Sequence, residues 1–141
     1  MIFDLDSRRY IARHPRWARR FPERLRGMIG RRFVTGKFDA LIFERCDAIH
    51  CCFMSITIDV LFIDSGFRVV AMRRGLRPWR FASGPPGSTV IELPEGTIDR
   101  AGVRCGHRIN LNATLSAEAV EKLCRKAILK AEPAPFAGET D

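Results

Sequence analysis

The sequence predicts a mainly β, α+β domain: small, mostly antiparallel, partly closed in a β-barrel-like way, with a short N-terminal helix and one C-terminal helix. Three observations carry this expectation. Between residues 38 and 112, β-branched and aromatic runs of strand length follow one another: "FDALIFER", "IHCCFM", "IDVLFID", "RVVAMRR", "STVIELP" and "HRINLN". The same stretch has no room for the crossover helices that a parallel sheet needs between its strands. One long segment of helical period, "TLSAEAVEKLCRKAIL", comes after them.

Each element has a local reason. Residues 1–16 read as a basic N-terminal arm. Tyr10, His14, Trp17 and Phe21 fall at a weak helical spacing that Pro15 interrupts. "FPERLRGMIGRR" reads as a short helix, with Pro22 in its first turn, Glu23 at its positive end, and Gly27 or Gly30 to stop it. "DSGF" is a turn that joins "IDVLFI" to "RVVAMRR" as a hairpin. "GLRPWRFASGPPG" reads as a loop, and "EGTIDRAG" as one helical turn capped by Thr97 and ended by Gly102. The β-rich domain is thereby expected over residues 17–112. A C-terminal helix is expected over 113–131, with Leu115, Ala119, Leu123, Ala127 and Ile128 as its apolar stripe, then a disordered tail over 132–141.

Composition bounds the function. With 141 residues, 46% of them hydrophobic and 28% charged, the chain has the make-up of a globular domain with a real core. Its longest near-continuous apolar run, Cys51 to Ile63, contains Asp59 and falls short of the roughly 20 residues that span a bilayer. The opening "MIFDLDSRRYIARHPRW" has early acids and no apolar core of a secretory signal, so the expected location is cytoplasmic. Five cysteines without a CxxC pair fit a reducing compartment better than a disulfide framework.

The net charge of +8 is unevenly spread. Residues 8–37, from Arg8 to Lys37, hold eleven Lys and Arg against the single acid Glu23, and the remaining thirteen basic and fifteen acidic residues sum to −2. Such a segment is a candidate for weak polyanion contact, with RNA, DNA or an anionic membrane surface, or else a solvated basic face.

Polar residues inside apolar runs mark the candidate site. Asp59, in "TIDVLFI", is expected to be buried and therefore paired, either as a lock on backbone N–H groups near "RLRG" or on Arg24, or as a base. His50, in "AIHCCF", is expected on the face opposite Ile49, Cys51 and Phe53, either satisfied inside the fold or working with Asp59 in acid–base chemistry. Cys46 precedes His50 by four residues, which in an extended strand is about 13 Å, too far for a shared metal or a thiol–imidazole pair without a turn. Cys105 and His107 match no zinc pattern, and no metal is expected. Trp79, on a Pro-anchored loop between Arg77 and Arg80, suits a pocket lid, a stacking platform or a cap on the core. No phosphate loop, dinucleotide fingerprint or hydrolase string occurs, so no cofactor is expected.

Four stretches in order carry a resemblance: "RLRGMIGR", "CDAIHCCFMSITIDVLFID", "FRVVAMRRGLRPWRFA" and "VIELPEGTIDRAGVRCGHRI". Together, over about residues 17–111, they resemble the prokaryotic domain-of-unknown-function family 192. The resemblance implies a small β-rich domain of uncharacterised function. Its motif positions correspond here to Arg24, Gly27, Cys46, His50, Met54, Asp59, Asp64, Pro78, Glu92 and Gly96. Thr57, Ser55 and His107 depart from the family pattern.

These observations point first to a binding or accessory module for an unknown small ligand or protein, with a polar patch of Arg24, Cys46, His50, Asp59 and Trp79. The alternatives are a small enzyme that uses His50 and Asp59, with Cys46 as a further candidate, and a polyanion binder acting through the basic segment.

Overall fold

A computed structural model describes residues 1–111. The expected C-terminal helix and tail lie outside these residues. Ten strands and two helices are arranged as β1 (Ile2–Asp4), β2 (Arg9–Ala12), β3 (Pro15–Trp17), α1 (Phe21–Arg26), β4 (Ala40–Phe43), β5 (Ala48–His50), β6 (Ile58–Ile63), β7 (Val69–Leu76), β8 (Phe81–Ser83), β9 (Thr89–Pro94), α2 (Thr97–Ala101) and β10 (Ile109–Asn110). The fold is mainly β, as the strand-length runs require, and its sheets are not closed into a barrel.

A five-stranded sheet in the order β3-β4-β9-β6-β7 forms the centre. All its pairings are antiparallel except β3 with β4, which run parallel. A parallel pair needs a crossover, and here the segment between Trp17 and Ala40, with α1 inside it, supplies one. Every residue of β6 is buried, and β9 is buried from Val90 to Leu93. Central strands covered on both faces are apolar at nearly every position, which is why "IDVLFI" and "TVIELP" lack polar alternation.

Side-chain alternation sorts the core into two layers. Ala40, Ile42, Leu61, Ile63, Ile91 and Leu93 face one way and pack with Ile2, Ile11, Ile98, Val103 and Ile109. Leu41, Phe43, Ile58, Val60, Phe62 and Val90 face the other way and pack with Met28, Phe38, Cys51, Met54 and Ala82. A small sheet, β10-β1-β2, and α2 contribute to the first layer; the β5-β8 ribbon and the turn after α1 contribute to the second.

Three local expectations are corrected. Residues 1–16 do not stand off as an arm: they build β1, β2 and most of β3. The weak helical spacing is overridden by strand pairing, of Tyr10 with β1 and Trp17 with β4, while β1 itself pairs with β10. Several of the basic residues lie against rings, with the guanidinium of Arg13 4.8 Å from the Tyr10 centroid and that of Arg16 4.9 Å from Phe38. "IHCCFM" is not one strand. β5 stops at His50, and the chain turns through Phe53 at φ 60°. The "GLRPWRFASGPPG" loop contains β8, which pairs with β5 in the register Ala48↔Ser83, Ile49↔Ala82 and His50↔Phe81.

Candidate functional site

The second core layer leaves a cavity of about 290 Å³ over the central sheet. Phe21, Arg24, Leu25 and Arg26 of α1, with Gly27, Met28 and Ile29 after it, form one wall. Cys46, Ala48, Ile49, His50 and Met54 form another, and Phe43 of β4 and Glu92 of β9 complete the lining. The volume approaches the lower end of the range for small-molecule sites, and the lining is mainly apolar with a few polar groups, as such sites require.

Local sequence explains how the wall is held. Glu23 Oε2 accepts from the backbone N–H groups of Arg19 and Arg20 at 3.2 Å each, which fixes the start of α1. Gly27 ends the helix at φ 49°, a left-handed conformation that favours glycine, and its N–H donates to Glu23 O at 2.9 Å. Arg24 reaches across from α1, donating from Nη1 to Glu44 O at 2.7 Å and from Nη2 to Arg45 O at 3.4 Å. It thereby pins the helix to the turn between β4 and β5.

Arg24, Cys46 and His50 therefore line one cavity, whereas Asp59 and Trp79 do not. Their chemistry differs from a thiol–imidazole site. Cys46 donates from Sγ to Ala48 O at 3.2 Å, and burial raises its pKa above the ordinary thiol value. A thiol so held is neutral near pH 7, whereas nucleophiles and metal ligands need the thiolate. Cys51, buried beneath the same layer, is pushed up to about 11 by burial and by the nearby Glu92. His50 is exposed, its ring centroid 6.4 Å from that of Phe81. Among the described residues, no three His, Cys, Asp or Glu side chains come close enough to hold a metal ion.

Asp59 does not join them. It is 1% exposed, as its setting in "TIDVLFI" demanded, but alternation along β6 turns it into the first core layer. Oδ1 accepts from Gly75 N at 3.0 Å and Oδ2 from Ile98 N at 2.9 Å. Both oxygens are thus satisfied by backbone donors of β7 and α2, and neither Arg24 nor His50 supplies one. The expected pairing of Asp59 with the arginine–glycine helix or with His50 is not formed, and acid–base chemistry shared by His50 and Asp59 has no geometry to support it. Thr97 makes no capping bond either: Gly96 occupies the N-cap, and Asp59 reaches from β6 to the second N–H of α2 instead. Trp79 sits outside the cavity lining. It is 58% exposed at φ 66°, with its backbone N–H donating to Cys51 O and its ring edge-on to Phe53 at a centroid distance of 4.7 Å.

The residue that sequence reasoning left unused is Glu92. It is 3% exposed, its Oε2 has no hydrogen-bond partner among the described residues, and burial alone lifts its pKa to about 8. The signal was available: a lone acid in "TVIELP" is as anomalous as Asp59 in "TIDVLFI", and the same rule on buried charge applies to both. His107 also went unassigned. Its Nδ1 lies 2.7 Å from Oδ2 of the fully buried Asp4, a pairing between opposite ends of the described chain.

Fold and cavity together define a small α+β domain with an acid set beneath an apolar pocket. The chain belongs to the DUF192 family, described as an uncharacterized ACR, whose model matches residues 6–111. A UPF0127 protein of Thermococcus sibiricus is 42% identical over 64 residues, covering 45% of this chain and 41% of its own. One from Pyrococcus furiosus is 36% identical over 66 residues, covering 46% of this chain and 56% of its own. The chain thus spans about half the length of these curated relatives.

Two solved structures share the fold. A Sinorhizobium meliloti protein, provisionally assigned as a transcription regulator, has a TM-score of 0.61 at 23% identity and covers 68% of this chain and 79% of its own. A Novosphingobium aromaticivorans protein of unknown function has a TM-score of 0.59 at 22% identity, covering 72% and 79%. No helix among the described residues is long and apolar enough to cross a membrane.

Proposed function

We propose that the domain is a binding module for a small, largely apolar ligand seated between α1, the Cys46–His50 stretch and the central sheet. The observation that carries this reading is Glu92: a buried carboxyl with an unpartnered oxygen lines a mainly apolar cavity. A polar group left unsatisfied in the interior costs about 1–3 kcal/mol, and a ligand that supplies its missing hydrogen bond recovers that cost. Arg24, Cys46 and His50 act here as wall and mouth, and Asp59 braces the opposite face of the sheet. The free thiols of Cys46, Cys51, Cys52 and Cys105 support placing this module in a reducing compartment such as the cytoplasm.

The test uses the methionine methyl groups. Met28 and Met54 line the cavity, whereas Met72 packs against the other core layer. In a small-molecule screen followed by methyl NMR, binders are expected to shift Met28 and Met54 and to leave Met72 in place. A screen in which no compound moves these two signals, or in which all three move together, would overturn the reading.

A second reading has its own observation. Arg8, Arg9 and Arg13 of the basic segment, with Arg100, Tyr10 and Asp39, line a shallow concavity. A polyanion contact there would weaken steeply with salt. Binding of short single-stranded RNA that is unchanged between low and physiological salt, or by Arg9→Gln with Arg13→Gln, would exclude it.

A further inference from the structure

Resting on the pocket reading, we infer that the cavity receives a primary ammonium group on a slender apolar stem, with the ammonium seated on Glu92. The argument begins with a comparison of the buried carboxyls. Asp4 has Oδ1 bound by the N–H groups of Asp6 and Ser7 and Oδ2 by His107; Asp59 has both oxygens bound by Gly75 and Ile98. Glu92 alone among these three keeps an oxygen without a partner.

The chain does not lack cations to fill that place. It has 24 Lys and Arg, and Arg24 and Arg26 line the same cavity. Yet Arg24 is spent on the carbonyls of Glu44 and Arg45, and Arg26 donates from Nε to Ile29 O at 3.3 Å. The fold holds both guanidinium groups on backbone oxygens and leaves the carboxyl without a cation partner. The surroundings suit a cation on an apolar stem: Phe43, Met28 and Met54, an aromatic ring and two polarisable thioethers, line the same cavity as Glu92.

Proton bookkeeping separates this ligand class from its rivals. Burial keeps Glu92 protonated up to about pH 8, while an alkylammonium holds its own proton to about pH 10. Pairing at pH 7 therefore converts the carboxylic acid to a carboxylate and releases one proton to the buffer. An alcohol would share a hydrogen bond with the neutral acid and release none. A carboxylate ligand would be held by the arginines at the rim and would favour the protonated acid. The other ionisable groups facing Glu92 are Arg24 and Arg26 from α1, Cys46 from the turn before β5, His50 from β5, and Cys51 just after it. Both thiols are kept neutral by burial, so the arginines and His50 are the remaining charges to control.

The experiment titrates the full chain with hexylamine, hexanol and hexanoate at pH 7, following the Met28 and Met54 methyl signals. Calorimetry in buffers of different ionisation heat counts the protons. Hexylamine is expected to bind at least about tenfold more tightly than hexanol, with close to one proton released, and its affinity to rise about tenfold from pH 6 to pH 7. Glu92→Gln is expected to abolish the preference for the amine while hexanol affinity stays within about twofold. Equal or tighter binding of hexanol or hexanoate, binding of hexylamine without proton release, or a preference that survives Glu92→Gln would each overturn the assignment and leave the pocket reading standing. If none of the three probes moves the methyl signals, the pocket reading itself falls. The proton count needs no variant, so it decides the matter even if Glu92→Gln folds poorly.

Discussion

Asp59 Oδ2 accepts a hydrogen bond from Ile98 N at 2.9 Å, joining the central strand β6 to the first turn of α2 across 39 residues of sequence. Its other oxygen holds Gly75 N at 3.0 Å, where the register of β6 on β7 shifts and Gly75 takes φ 59°. One carboxylate therefore secures both a bulge and a helix start. Asp59→Ala strands two N–H donors beside a fully buried core and is expected to cost about 2–4 kcal/mol in urea denaturation. Asp59→Asn, which keeps only one acceptor oxygen, is expected to cost about half as much. A loss below 0.5 kcal/mol for the alanine variant, measured against roughly that threshold for surface changes, would show that the bonds do not brace the fold.

Glu92 makes stability depend on pH in the direction opposite to a salt-bridged acid. Its folded pKa lies near 8 against 4.5 in the free group, so between those values the folded chain holds a proton that the unfolded chain gives up. Its contribution is fully present below pH 4.5 and is lost as pH rises through about 8, a change on the order of 3–5 kcal/mol. In the absence of ligand, Glu92→Gln removes this ionisation and is expected to flatten the profile between pH 5 and 8. Urea titrations at several pH values check it; a variant with the same slope as the parent would locate the dependence elsewhere.

Burial orders the thiols. Cys105 is exposed, whereas Cys46 is half-buried with a raised pKa and Cys51 is fully buried and pushed up to about 11. Iodoacetamide at pH 7.5 is expected to modify Cys105 first, Cys46 more slowly and Cys51 last, read by mass spectrometry of peptides over a time course. If Cys46 reacted as fast as Cys105, the cavity wall would be more open than described, and a nucleophilic role for Cys46 would regain support.

Gly84 has almost no room for a side chain. A Cβ there would lie 2.5 Å from Cδ1 and 2.6 Å from Cγ of Phe62, which is fully buried in β6. Gly84→Ala is expected to push the end of the β5-β8 ribbon off the sheet, at a cost of about 1–3 kcal/mol. Thermal melts would detect this, and an unchanged melting temperature would mean that the ribbon moves without resistance.

The parts of the fold legible in sequence were those with a local cause. "DSGF" between two apolar runs announced the β6–β7 hairpin, and Gly102 after "TIDRA" announced the end of α2, although Thr97 does not cap it. The first 17 residues were not legible, because their strands are made by partners far along the chain, Phe3 with Asn110 and Pro15 with Ala40. The site divided in the same way. Burial of Asp59 followed from its neighbours, but its partners depend on which face of β6 is turned toward α2. Glu92, two positions after Val90 and on the same face, lies under the cavity only because α1 is carried there by the crossover between β3 and β4. No short-range pattern encodes that placement.

The pairing of β1 with β10 has a consequence for how the molecule is made. Phe3 sits opposite Asn110 and Asp4 opposite Ile109, while Leu5 N holds Arg108 O at 2.9 Å. During translation β1 leaves the ribosome well before β10, and this edge stays open until residue 110 follows. The nascent chain therefore leaves Ile2 and Phe3, both buried in the finished domain, without their β10 neighbour until that strand has been made. Stalling the ribosome before β10 emerges should leave a chain that chaperones recognise, and release of the last strand should end that recognition.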